Sequence, residues 1–188
     1  MTSPKGASLG RPLHSAGDIQ AAILCLAAKI ADDYRGQPLV LLGVLKGALY
    51  FTVDLSRALA EQPVGPGEII VDYACVLSYG SLGRSSGHVQ LLLDESVPIE
   101  GKHVLLVEDI ADNGLTLSFL GALLKERRPA SVRTCVLFDK PSRRQVPVPL
   151  DYVGLTVPDT FIVGYGLDYQ EGYRSLPYVA ELKPQGSR

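Results

Sequence analysis

The sequence predicts an α/β fold: a central, mostly parallel sheet flanked on both faces by helices. Three observations carry that reading. Residues 39–45 (LVLLGVL) and 104–107 (VLLV) are aliphatic runs with no polar alternation, as expected of strands covered on both faces. Each run leads through a short loop into a helix-length amphipathic segment, residues 48–61 and 118–127, and this repeat of strand, loop and helix is the mark of a doubly wound sheet. A chain of 188 residues with 46% hydrophobic and 20% charged content is long and apolar enough to bury a sizeable core as one domain.

The elements follow in order. Residues 1–14 carry no periodic pattern and are expected, like residues 183–188, to be loose ends. Ser15 stands before Ile19, Ala22, Ile23, Leu26, Ile30 and Tyr34, which recur at three- and four-residue steps. Ser15 can therefore cap a helix, Asp18 suits its positive end, and Gly36-Gln37-Pro38 stops it. The strand 39–45 and helix 48–61 come next, then a connector at 63–67 (PVGPG). Residues 69–77 and 89–93 read as two strands joined by the glycine- and serine-rich stretch 78–87. A loop of that length inside a compact domain is unusual unless it serves as a lid, and a flexible hairpin with Ser78 and Tyr79 at its lid is predicted. After the second strand and helix, residues 133–138 form a further strand ending at Asp139-Lys140-Pro141. Strand-like segments at 151–154 and 161–165 precede a polar, glycine- and tyrosine-rich stretch at 166–174.

Composition narrows the possible partners. With 18 basic and 20 acidic residues the net charge is −2, so there is no electrostatic footprint for nucleic acid. Arg143 and Arg144 read as a solvated pair. No apolar run approaches the ~20 residues that span a bilayer, and the first residues lack the apolar core of a signal peptide, so a cytoplasmic protein without a membrane partner is expected. Cys25, Cys75 and Cys135 lie in apolar segments at spacings that suit neither a disulfide framework nor zinc, and read as buried, reduced thiols. His14, His88 and His103 show no metal or catalytic spacing.

The chemistry concentrates in residues 104–117, VLLVEDIADNGLTL. Here an apolar strand runs into Glu108, Asp109 and Asp112 and then into Asn113, Gly114, Leu115 and Thr116. The carboxyl end of a strand in an open α/β sheet is where ligands bind, and the free N–H groups of a helix start favour an anion. Residues 112–116 offer backbone donors, the Thr116 hydroxyl and the Asn113 amide to a phosphate. Glu108 and Asp109 suit ribose hydroxyls or magnesium, and Asp112 is placed to exchange a proton. Such residues also occur in phospho-acceptor and other nucleotide-binding folds, so their chemistry alone leaves the choice open.

The same stretch resembles the phosphoribosyl pyrophosphate (PRPP) signature of the type I phosphoribosyltransferases. Together with Leu45-Lys46-Gly47-Ala48, Ser78-Tyr79-Gly80, Asp139-Lys140-Pro141 and residues 151–174, it resembles the hypoxanthine-guanine phosphoribosyltransferases in order and over nearly the whole chain. The resemblance implies the type I fold, with a small hood and a flexible hairpin loop. It also implies transfer of the phosphoribosyl group from PRPP to hypoxanthine or guanine, yielding IMP or GMP and pyrophosphate, in a homodimer or homotetramer.

Carried over residue by residue, Glu108 and Asp109 would hold the ribose hydroxyls directly or through magnesium, and residues 112–116 would bind the 5′-phosphate. Asp112 would act as general base at the purine N7. Lys140 would recognise the oxygen at position 6, Phe161 would stack on the ring, and Ile162 would bond its far edge. Asp168, beside the purine, would bind a second magnesium on the pyrophosphate, which Arg174 and the backbone at Lys46-Gly47 would grip. In the family the peptide matching Leu45-Lys46 is often cis, and the sequence leaves its isomer here open. Asn113 departs from the commoner threonine or serine, which implies altered phosphate affinity; at Leu115 the N–H matters more than the side chain. A non-catalytic sensor of PRPP on the same fold is the competing reading, but such regulators add a nucleic-acid-binding element, and neither a helix-turn-helix extension nor a basic face is present.

Overall fold

The structure is a computed structural model that describes residues 7–78, 89–94 and 96–184. Its core is a six-stranded sheet ordered β4-β3-β2-β5-β6-β7, built from β2 (Pro38–Leu45), β3 (Glu68–Ser78), β4 (Val89–Leu93), β5 (His103–Ala111), β6 (Ser131–Asp139) and β7 (Tyr152–Thr156). All neighbouring pairs are parallel except β3 with β4. The sheet is therefore the mostly parallel one that the aliphatic runs predict.

Those runs are continuous because the two sheet faces are covered by different helices. Leu39, Leu41, Leu105, Val107, Cys135 and Leu137 point to the face that carries α1 (Ala16–Asp33) and α2 (Leu49–Ala60). Their neighbours Val40, Leu42, Val104, Leu106 and Val136 point to the face of α3 (Leu115–Glu126), meeting Leu117, Leu120 and Leu124. With side chains alternating across each strand, both members of every consecutive pair are buried. α1 starts as its sequence implies: Ser15 accepts from the Asp18 N–H at 3.2 Å, while Asp18 accepts from the Ser15 N–H at 2.8 Å.

The chain ends depart from expectation. Residues 7–14 and 183–184, read as loose, belong to strands. β1 (Ala7–His14) pairs antiparallel with β9 (Val179–Pro184), and β9 pairs with β8 (Ile162–Val163) in a second, three-stranded sheet. This small sheet corresponds to the expected hood. Its signal is absent from the N-terminal segment because β1 carries Gly10 and Pro12 and its register with β9 is interrupted twice. Ser78 ends β3, which forms the expected hairpin with β4, whereas Tyr79 and the proposed lid lie outside the described residues. The thiols also differ from expectation: Cys135 is buried, but Cys75 is only partly so and Cys25 is exposed on the outer side of α1. No helix among the described residues is long and apolar enough to cross a membrane.

Candidate active site

Parallel pairing brings the carboxyl ends of β2, β5 and β6 to one edge of the sheet. Gly43 is level with Val107 and Ala111 with Asp139, so the loops after Leu45, Ala111 and Asp139 emerge side by side. Lys140 continues this register, its N–H donating to Ala111 O at 3.0 Å. These three loops carry Lys46 and Gly47, residues 112–116, and Lys140.

β5 delivers Glu108 and Asp109, both buried. Burial and the adjacent Asp109 carboxylate push the Glu108 carboxyl well up from its ordinary range. Burial also pushes Asp109 up to about 6, opposed by the hydrogen bond from the Ile110 N–H at 2.7 Å. Glu108 Oε2 is buried without a partner. Against Asp109 lies the backbone of Gly47, where any Cβ would stand 1.8 Å from Asp109 Oδ2. The side-chain-free residue lets the loop after β2 touch the Asp109 carboxylate of β5. The Leu45-Lys46 peptide just before it is cis.

The turn into α3 is made by Gly114 at φ 85°, in the left-handed region that glycine occupies without strain. Space is tight as well, since a Cβ on Gly114 would lie 2.8 Å from Val146 O. No side chain caps α3 from this position, and the first-turn N–H groups of Thr116 and Leu117 have no intrahelical acceptor. In this structure Asn113 is engaged as an acceptor. Its Oδ1 accepts from the Leu115 N–H at 2.9 Å, and its carbonyl accepts from Gln145 and Val146 at 2.9 and 3.2 Å. Residues 108–117 enclose a cavity of about 220 Å3.

A second cavity of about 170 Å3 shares Asp109, Ile110 and Asp112 with the first and adds Lys140, Thr160, Phe161, Ile162 and Asp168. Asp112 stands on the shared wall with its Oδ1 buried and unpartnered. Lys140 is 5% exposed, and its Nζ donates to Thr160 O at 2.9 Å. Burial lowers the pKa of its ammonium, while the Asp112 charge raises it. Phe161 is 48% exposed and meets Tyr169 edge-on at 5.9 Å. So large an aromatic left open at a cavity offers a stacking face. Ile162 reaches the cavity from the hood, since β8 hangs on β9 and the Leu182 N–H donates to Phe161 O at 2.8 Å.

Asp168 and Arg174 also converge on the site. Arg174 Nη2 is 2.8 Å from Asp168 Oδ1, and Arg174 Nη1 donates to Gly166 O at 2.7 Å. The other Asp168 oxygen accepts from the Glu171 N–H at 2.9 Å. Arg174 Nε is buried and unpartnered.

Every sequence-predicted site residue among the described ones lies along this edge or, in the case of Ser78, at the end of β3. Glu171, Arg143, Arg144 and Thr160 were missed. Arg143 is no free solvated residue: its Nε is 2.5 Å from Asp159 Oδ1 beside the second cavity. Arg144 pairs with Asp139 and lays its Cδ 3.1 Å from where a Gly114 Cβ would be. The contacts of Arg143 with Asp159, Lys140 with Thr160 and Glu171 with Lys46 have no local pattern to announce them, because their partners come from another loop.

Comparison with known proteins agrees with this geometry. The family described as the phosphoribosyl transferase domain matches residues 13–170. A hypoxanthine-guanine phosphoribosyltransferase of Crithidia fasciculata is 42% identical over 181 residues, covering 93% of this chain and 86% of the relative. A solved hypoxanthine phosphoribosyltransferase of Staphylococcus aureus superposes with a TM-score of 0.86 at 40% identity, covering 96% of this chain and 95% of that one. A hypoxanthine phosphoribosyl transferase of Trypanosoma cruzi, solved to study the role of its C-terminal region in oligomeric state and activity, has a TM-score of 0.85 at 43% identity and covers 97% and 95%. With a family match over most of its length and relatives this similar across nearly the whole fold, the chain belongs to the phosphoribosyl transferase family and groups within it with the hypoxanthine-guanine phosphoribosyltransferases.

Proposed function

We propose that this protein transfers the 5-phosphoribosyl group of PRPP to hypoxanthine or guanine, releasing pyrophosphate and forming IMP or GMP in purine salvage. The observation that carries the reading is the buried, unpartnered Oδ1 of Asp112 on the wall between the phosphate-loop cavity and the cavity of Lys140 and Phe161. A carboxylate there can take the N7 proton of a purine while the ring attacks a sugar whose 5′-phosphate rests at the start of α3. Lys140 would donate to the oxygen at position 6. Adenine would set an amino donor against that ammonium and leave its own amino group facing a donor without an acceptor, a mismatch that discriminates strongly. Phe161 would stack on the base, and the Ile162 backbone would meet its far edge.

Glu108 and Asp109 would face the ribose hydroxyls and fit magnesium. Their oxygens are hard donors, Glu108 Oε2 lacks a partner, and the like charges of the pair oppose one another. Among the described residues no group of three or more acidic, histidine or cysteine side chains forms a cage, so water and substrate oxygens would complete the shell, as magnesium tolerates. When bound, magnesium would offset the charge that builds on departing pyrophosphate. Lys46, the Gly47 backbone and Arg174 would hold the same anion. Asp168, the second proposed magnesium ligand, would have to share its carboxylate with Arg174. The enzyme would work in the cytoplasm as a homodimer or homotetramer, with the hairpin at Ser78 and Tyr79 as its lid.

The test is turnover of hypoxanthine with PRPP and magnesium. Asp112→Asn should lower kcat by about 100-fold or more, the usual scale of a lost general base. Near wild-type turnover would refute the assignment. A chain that binds PRPP but releases no pyrophosphate with any purine base would instead be a sensor.

A further inference from the structure

One charged group at the site has no part in the proposed reaction. Glu171 Oε2 lies 3.1 Å from Lys46 Nζ and 3.3 Å from Arg174 Nη2. A single carboxylate oxygen thus bridges two cations, one 125 residues away on another loop and one three residues along its own segment. The local backbone holds it there at a cost. Gln170, Glu171 and Tyr173 have φ of 53°, 62° and 71°, left-handed values that residues with a Cβ normally avoid. The turn is closed by reciprocal hydrogen bonds between Tyr169 and Gly172 at 3.2 and 3.0 Å, and the Glu171 N–H is fixed by Asp168 at 2.9 Å. The hydrogen bond from Lys46 and the charge of Arg174 hold the Glu171 carboxyl below its ordinary range, so it is an anion at neutral pH.

We propose that Glu171 is an internal competitor for pyrophosphate: its carboxylate occupies Lys46 and Arg174 in the ligand-free site, is displaced by phosphate oxygens, and so weakens pyrophosphate binding enough for the product to leave. The inference rests on the reading of Lys46 and Arg174 as pyrophosphate-binding cations. Coexistence is unfavourable, since a polyanion and the carboxylate would claim the same donors and repel each other at contact distance. Displacement is feasible because the Glu171 side chain is 65% exposed and can swing into water. Exposed ion pairs are weak, so the competitor tunes affinity without blocking the site.

The test is calorimetric titration of the full chain with pyrophosphate, alone and with magnesium, alongside IMP, which carries no pyrophosphate. Glu171→Gln should tighten pyrophosphate by about three- to tenfold, the range of small ion-pair energies, and leave IMP affinity and the melting temperature unchanged. Glu171→Asn, which suits the positive φ better, should tighten it likewise and covers the case in which the glutamine variant folds poorly. Glu126→Gln, at the far end of α3, removes the same charge and should change nothing. Unchanged or weaker pyrophosphate binding in both Glu171 variants would overturn the proposal, the weaker result meaning that Glu171 positions Lys46 for its ligand. Equal tightening in Glu126→Gln would also overturn it, in favour of a net-charge effect. Lys46→Ala and Arg174→Ala test the underlying reading separately: each should weaken pyrophosphate, and if neither does, that reading fails and the competitor role with it.

Discussion

Glu108 and Asp109 show what the site costs the fold. Two adjacent buried carboxylates repel, and Glu108 keeps an oxygen without a partner. Asp109→Asn retains the acceptor for the Ile110 N–H and adds a donor that can face Glu108. It should stabilise the ligand-free protein by about 1 kcal/mol, roughly 2–4 °C in Tm at this size, while lowering activity severely. Thermal melting beside turnover checks this, and a lower Tm would mean that the pair is satisfied as it stands. Lys140 makes the complementary prediction. Lys140→Ala should raise the KM for hypoxanthine and guanine by about 10- to 100-fold, the value of a hydrogen bond to a charged group, with little change for PRPP. Equal losses for both substrates would exclude it as the specificity residue. Asp112 was legible from its place just beyond an apolar strand, whereas Lys140 and Arg174 stood out only through the family resemblance of the motifs that hold them. The engagements between loops were not legible: Glu171 on Lys46, and Arg143 on Asp159, join loops that only folding brings together.

At the scale of elements, the central strands were legible and their ends less so. β2, β5 and β6 announce themselves because burial on both faces leaves no room for polar alternation. α3 starts at Leu115 rather than at the expected Ser118 because the left-handed Gly114, and Asn113 Oδ1 accepting from the Leu115 N–H, turn the chain early. The return from the hairpin depends on Asp72, which accepts from the N–H groups of Tyr73, Ser96 and Val97 at 2.8, 2.7 and 3.0 Å. Burial alone would raise its pKa, but those three hydrogen bonds together lower it below the ordinary value. A depressed folded pKa contributes stability that is present above the unfolded pKa and lost as pH falls through the folded one. Asp72→Asn should therefore cost stability on the order of 1–2 kcal/mol at pH 7, seen as a lower Tm, and the gap from wild type should close below about pH 3. Melting curves across pH 2–8 test this; a gap independent of pH would show that shape rather than charge holds the turn.

Over the whole molecule, the two ends of the chain build the hood that carries half of the proposed purine pocket. β1 covers β9, β9 holds β8, and β8 delivers Ile162 next to Phe161. Removing residues 1–14 should uncover β9, lower Tm, and raise the KM for purine more than that for PRPP, because the phosphate loop belongs to the other sheet. Kinetics on the truncated chain decide it, and unchanged purine KM would show that β8 and β9 hold the pocket alone. By itself the sequence determined the doubly wound core, the phosphate loop and the resemblance that names the reaction, since periodicity and motif spacing are local properties readable along the chain. Only the tertiary structure decided which strands build the hood, the shared wall at Asp112 and the bridge from Glu171 to Lys46. Each joins segments far apart in sequence, and such pairings are selected by which surfaces remain to be covered once the central sheet has formed.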